Sequence, residues 1–168
     1  KAPGVAVITA KTRDGGYKDF CIIRVASLVG TNGAIVDNEN GVIYGFVGCP
    51  KSIDGYVKTV DPSLSVQCNS TALGTGSVVS VLNGTKTVDS YKIVIFGDVD
   101  GDGWYDGRDA VTVSMLANGM LSREQVSETV WIAADCNHDG AIDQLDVEIL
   151  VRAVYRPADG DGHALALL

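Results

Sequence analysis

Two stretches of this chain repeat one pattern at an offset of 37 residues, from Asp98 to Asp135. The first runs Asp98-Val99-Asp100-Gly101-Asp102-Gly103-Trp104-Tyr105-Asp106-Gly107-Arg108-Asp109, and the second Asp135-Cys136-Asn137-His138-Asp139-Gly140-Ala141-Ile142-Asp143-Gln144-Leu145-Asp146. In both, oxygen-bearing side chains stand at positions 1, 3, 5, 9 and 12, with glycine at position 6. Nine of the 21 acidic residues fall in these two windows. Carboxylates so close repel one another unless the segment stays extended or a cation sits among them. A fixed glycine inside each window, and an apolar helical pattern after it, argue against an extended acidic tail. Calcium takes roughly six to eight oxygen ligands, which such a loop supplies from these side chains and from the position-7 carbonyl. The expected ligands of two Ca²⁺ are therefore Asp98, Asp100, Asp102, the Trp104 carbonyl, Asp106 and Asp109, then Asp135, Asn137, Asp139, the Ala141 carbonyl, Asp143 and Asp146. Tyr105 and Ile142 at position 8 are expected to face inward and pair.

The register continues beyond the loops. Ala110, Val113 and Ala117 map onto Val147, Leu150 and Val154, which is helical spacing in both copies. An ordinary EF-hand carries a bidentate Glu at position 12, whereas both loops here end in Asp. The segment before the first loop, Tyr91-Lys92-Ile93-Val94-Ile95-Phe96, is β-branched and alternating and reads as a strand. Each unit is a loop followed by a helix, with no entering helix before the first. A calcium sensor opens a helix pair onto a Met-rich groove, and with two Met in the chain that role is disfavoured.

Over roughly Phe96 to Arg156, with the runs GDVDGDGWYDGRDA and DCNHDGAIDQLD, the chain resembles a dockerin. The resemblance implies a domain folded by calcium, whose exiting helices bind a cohesin domain of a scaffoldin or cell-surface anchoring protein in a cellulosome-type assembly. It further implies that loop positions 10 and 11 and the helix faces set specificity. Carried over, these are Gly107, Arg108, Ser114 and Met115 in one copy, and Gln144, Leu145, Val151 and Arg152 in the other. The pairs are chemically unlike, so one dominant binding orientation is expected rather than two related by a half turn. Between the loops, Ser122 and Gln125 fit a capping box. Val126, Val130 and Ala134 follow at helical spacing, giving a connecting helix.

Residues 1–95 are rich in Gly, Val, Thr and Ser. Val5 to Ala10 and Phe20 to Val25 flank Asp14-Gly15-Gly16 and read as a hairpin. The run GVAVITAKTRDGGYKDFCIIRV resembles the last two strands of a group-2 bacterial immunoglobulin-like domain. Strands are expected at 41–45, 64–68, 78–82 and 91–96, a turn at Asn83-Gly84, and a short helix from Ser52 to Thr59. The unit resembles the small X-type companion modules that precede dockerins. The expected class is α+β: a β-hairpin remnant over 1–36, a β-rich companion over 37–95, an all-α dockerin with two calcium loop–helix repeats and a connecting helix over 96–157, and a tail over 158–168. No linker separates Ile95 from Asp98, so a rigid dyad is expected.

A net charge of −8 disfavours nucleic acid and anionic membranes as partners. No apolar run reaches the ~18 residues of a membrane span, no signal peptide is evident, and a chain opening on Lys1 reads as a mature or excised piece. Cys21, Cys49, Cys68 and Cys136 show no CxxC spacing, which disfavours zinc. Cys136, expected to point outward at position 2, lacks an obvious partner, so free thiols are favoured over a disulfide scaffold. His138 is expected to face solvent, and His163 lies in the tail. Neither has a nucleophile context, and no enzyme site assembles. Trp104 and Trp131 read as core or contact residues. The expected function is a secreted, calcium-dependent adhesion module of a cell-surface system in an anaerobic bacterium that degrades polysaccharide. The alternative is a calcium-stabilised stalk or a carbohydrate-contacting module.

Overall fold

The computed structural model describes residues 4–155. The tail at 158–168, with residues 1–3 and 156–157, lies outside the described residues, as does the Cys21 side chain. The expected hairpin is present: β1 (Gly4–Lys11) and β2 (Lys18–Val25) run antiparallel, Gly4 opposite Val25 and Lys11 opposite Lys18. Asp14 holds the turn, accepting the Thr12 hydroxyl at 2.5 Å and the Gly16 N–H at 3.0 Å.

Seven strands follow. β3 (Leu28–Gly30) pairs with β6 (Val57–Thr59). A five-stranded sheet is formed by β4 (Ile35–Asp37), β5 (Val42–Tyr44), β7 (Leu64–Cys68), β8 (Val78–Asn83) and β9 (Lys86–Ile93), in the order β4-β5-β9-β8-β7. Only the β5–β9 contact within it is parallel. The Asn83-Gly84 signal marks a tight hairpin, with Asn83 opposite Lys86 and Gly84 at φ 61°.

The short helix expected from Ser52 to Thr59 is absent. Ser52 closes a local turn on Asp54 instead, accepting its N–H at 3.1 Å, and Gly55 at φ 82° reverses the chain. The β-branched residues after this turn become β6, because Val57 and Thr59 gain ladder partners in β3 that a helix would not provide. Leu28 and Ala34 lie in one core with Ile43, Val79, Tyr91 and Ile93, and β4 crosses position 36. Residues on both sides of position 36 thus share one core.

The C-terminal part carries α1 (Gly107–Ala117), α2 (Glu128–Ala134) and α3 (Gln144–Tyr155). Ala110, Val113 and Leu150 are buried as the repeat demands, but Leu116, not Ala117, takes the buried position at the end of α1. The connecting helix is broken. Ser122 and Gln125 cap only a 3₁₀ turn at Arg123–Gln125, and Val126 is extended. Ser127 then caps α2, accepting the Val130 N–H at 3.3 Å. Val126 and Val130 still pack on the helical core, and Ala134 is inside it.

Strand alternation joins the two halves. Ile43, Ile93 and Ile95 face the core of the β-rich unit, while Val42, Tyr44, Val94 and Phe96 face the core built with Val99, Ala110, Val113 and Leu150. The near-continuous apolar run before the first loop thus reflects a sheet covered on both faces.

Candidate metal centre

The two acidic loops fold on one hydrogen-bond skeleton. Position 12 sits at the centre of each: Asp109 accepts the N–H groups of Val99 (2.9 Å), Asp100 (3.1 Å) and Asp106 (2.8 Å). Asp146 accepts those of Asn137 (3.2 Å) and Asp143 (2.9 Å). Position 3 accepts from position 5 in both loops, Asp102 to Asp100 at 3.1 Å and Asp139 to Asn137 at 2.9 Å. Position 5 accepts from position 7, Trp104 to Asp102 at 3.0 Å and Ala141 to Asp139 at 2.9 Å. Position 9 caps the exiting helix through the N–H of position 11, Arg108 to Asp106 and Leu145 to Asp143, both at 2.7 Å. Position 6 is left-handed in both, φ 88° at Gly103 and at Gly140, which glycine alone adopts without strain.

The first loop gathers oxygen donors of the kind a hard cation takes. Asp98, Asp100 and Asp102 each offer a carboxylate oxygen, all within 4.8 Å of one another. Asp98 is fully buried, and burial pushes its carboxyl up to about 6, against the N–H groups of Thr75 and Gly101 that favour its charge and with the nearby Asp109 charge opposing it. Burial likewise raises Asp109 and Asp146 above the ordinary carboxylate range. Asp98 is the buried member of this cluster and Asp100 and Asp102 are exposed. A counter-charge among them would offset their repulsion and the burial of Asp98, and an oxygen-only donor set suits Ca²⁺. The second loop carries Asn137 where the first has Asp100, and its side-chain amide donates to Asp139 at 2.9 Å.

Arg108, expected on the partner-facing surface, reaches back over its own loop. Its guanidinium lies 3.6 Å from Asp100, 2.6 Å from Asp102 and 3.1 Å from Asp106. The Arg108 N–H and guanidinium hold Asp106 below the usual range. Among the other residues expected to meet a partner, Gly107 starts α1, with the Tyr155 hydroxyl in van der Waals range of any added Cβ. Ser114 and Met115 are half-buried in mid-helix. Gln144, Val151 and Arg152 line a shallow groove of about 240 Å³ on α3, beside exposed Leu145.

Tyr105 and Ile142 both pack on the helical core, but among the described residues no backbone hydrogen bond joins them. Trp104 is 58% exposed and lines the seam with Cys49, Lys51 and Leu73, a contact position rather than core. Trp131 lies under the Arg123 guanidinium at 5.1 Å. His138 is exposed, at φ 63°, and its ring rests on Phe96 with centroids 3.7 Å apart. The expectation that Cys136 points outward is overturned: it is 1% exposed inside the helical core, and burial pushes its thiol up to about 12. Position 2 faces inward because this loop lies over that core. Cys49, Cys68 and Cys136 are free thiols.

Sequence reasoning also missed the support on which the first loop rests. Thr75, from the β7–β8 connection, donates its N–H to Asp98 Oδ2 at 2.8 Å. Its hydroxyl donates to the Ile95 carbonyl at 3.1 Å and accepts the Ile95 N–H at 3.0 Å. The available signal was a run of small residues, Gly74-Thr75-Gly76, matched to Gly101 and Gly103 in the loop.

Among known proteins, the family model of the dockerin type I domain matches residues 96–155. That stretch holds both loops and all three helices, an arrangement consistent with the family, and the region before it is β-rich. No curated protein and no solved structure matches the chain.

Proposed function

We propose that this chain is a calcium-dependent docking unit in which residues 96–155 bind a cohesin domain and the β-rich unit before them serves as a rigid companion. The observation that carries this reading is the coincidence of the dockerin match with two loops of equivalent hydrogen bonding, one of them gathering three carboxylates. Dockerin domains bind cohesins, bind calcium and are non-catalytic, and proteins that contain them are typically extracellular. No helix among the described residues is long and apolar enough to cross a membrane.

Two Ca²⁺ would be held by the two sets of loop ligands, one ion per loop, with Asn137 replacing a carboxylate in the second. The ions supply the positive charge that lets each loop close and orient its exiting helix; no reaction step is involved. The partner would be a cohesin of a scaffoldin or anchoring protein in a cellulosome-like or cell-surface polysaccharide-degrading assembly. We assign the companion to residues 27–95, because Leu28 belongs to its core, and the hairpin before it to a separate element.

The contact surface lies on α3 in the main. Leu145 and Val151 are exposed there beside Arg152, while Arg108 at the start of α1 is engaged by three carboxylates. Unlike faces favour one orientation of the partner. Capture of the full chain by a panel of cohesins, with calcium and with chelator, tests the reading. Calcium-dependent capture by at least one cohesin is expected. A chain that folds with calcium and captures none would instead be a structural stalk.

A further inference from the structure

We propose that the first calcium loop and the 71–77 connection of the β-rich unit form a single coupled binding element, with Thr75 as the positioning residue for the position-1 ligand Asp98. This rests on the reading that the loop binds calcium, and concerns what sets that site's affinity. Asp98 is 0% exposed. One of its oxygens is held within the loop by the Gly101 N–H at 2.9 Å, the other by Thr75 N–H at 2.8 Å from outside it. Thr75 is itself fixed by both hydrogen bonds of its hydroxyl to Ile95, and Gly76 donates to the Ile93 carbonyl at 2.9 Å.

The backbones interlock around this contact. A Cβ on Gly74 would stand 2.2 Å from the Gly101 carbonyl oxygen, one on Gly101 2.6 Å from the Thr75 oxygen, and one on Gly103 2.4 Å from the Leu73 oxygen. Among the described residues the second loop has no such support, and Asp135 accepts only from its own loop, from Asp139 at 3.2 Å and Gly140 at 2.9 Å. A Cβ on Gly140 would meet nothing within 4 Å. Groups that orient a metal ligand from outside commonly change metal affinity about 10- to 100-fold. By linkage, the ion must stabilise the 71–77 connection by the same factor.

A calcium titration of the full chain, followed by the amide resonances of Gly103 and Gly140, reads the two loops separately. In Gly74→Ala, calcium affinity at the first loop is expected to fall about tenfold or more, with the second changed less than about twofold. No change, or an equal fall at both loops, would overturn the coupling. A measurement on the unmodified chain needs no variant to fold: exchange of the Thr75 amide is expected to slow about tenfold or more when calcium is added. An unchanged Thr75 rate while Gly101 becomes protected overturns the proposal but leaves calcium binding intact. If calcium moves neither Gly103 nor Gly140, calcium binding itself fails and the coupling with it.

Discussion

The loops at 98–109 and 135–146 share a hydrogen-bond skeleton and differ in what surrounds it. In the first, a buried Asp98 is gripped by a residue 23 positions earlier in the chain, and glycine backbones touch glycine backbones. In the second, the matching glycine is open and the position-3 side chain is an amide. Local sequence therefore sets the path of each loop, because its turns are closed by its own Asp side chains on nearby N–H groups. Tertiary packing sets how firmly the loop side chains are held. Two sites built from one pattern need not bind alike.

Removing calcium should separate the two most sharply. Chelation is expected to abolish cohesin capture, with a loss of about 100-fold or more in apparent affinity, and to release the second loop before the first. Amide exchange and helical circular dichroism during a chelator titration would check the order. Simultaneous release would mean that the packing around Asp98 confers no preference.

A matched glycine pair isolates the packing term. Gly140→Ala carries only the left-handed backbone cost of about 1–2 kcal/mol. Gly103→Ala carries that cost and also places its Cβ 2.4 Å from the Leu73 oxygen. It is expected to cost about 3 kcal/mol or more in chemical denaturation. Equal losses would show that the first loop is not wedged against its neighbour.

The comparison extends to the exiting helices. Replacing Leu145 and Val151 together with alanine is expected to weaken cohesin binding about tenfold, and Val111→Ala on α1 less than about threefold, read by calorimetry. Equal loss only when both helices are changed would indicate two interchangeable orientations. The smallest effect is expected at Arg108, whose exposed guanidinium pairs with three carboxylates that the proposed metal would also need. Arg108→Ala should tighten calcium at the first loop about two- to threefold at low salt, less at high salt. Weaker calcium binding in that variant would show the arginine supporting the loop instead.

Much of this is legible in residue order because the decisive interactions are short-range. Asp and Gly spacing defines each loop, and the period of Ala110, Val113, Val147 and Leu150 finds both helices. Strands β7 and β8 have clear alternation and can be read directly, whereas β3 and β4, three residues each, are too short to show a period. Ser52 and Ser122 do act as capping side chains, but the segments they open are a tight turn and a 3₁₀ turn rather than α-helices. In both cases tertiary partners of Val57 and Val126 override local preference. Cys136 and Thr75 escape a reading of residue order, since the direction of one and the role of the other depend on which surfaces the loops settle against.

The central position of β9 has a mechanical consequence. It is flanked by β5 and β8, and its chain leads through Val94 to Phe96 into Asp98. A tether pulling on the helical end would load the sheet through its middle strand, along the strand axis. Hydrogen bonds on both sides would then have to shear together rather than open one at a time, so a pull entering through the helical end meets the sheet in a geometry that resists it.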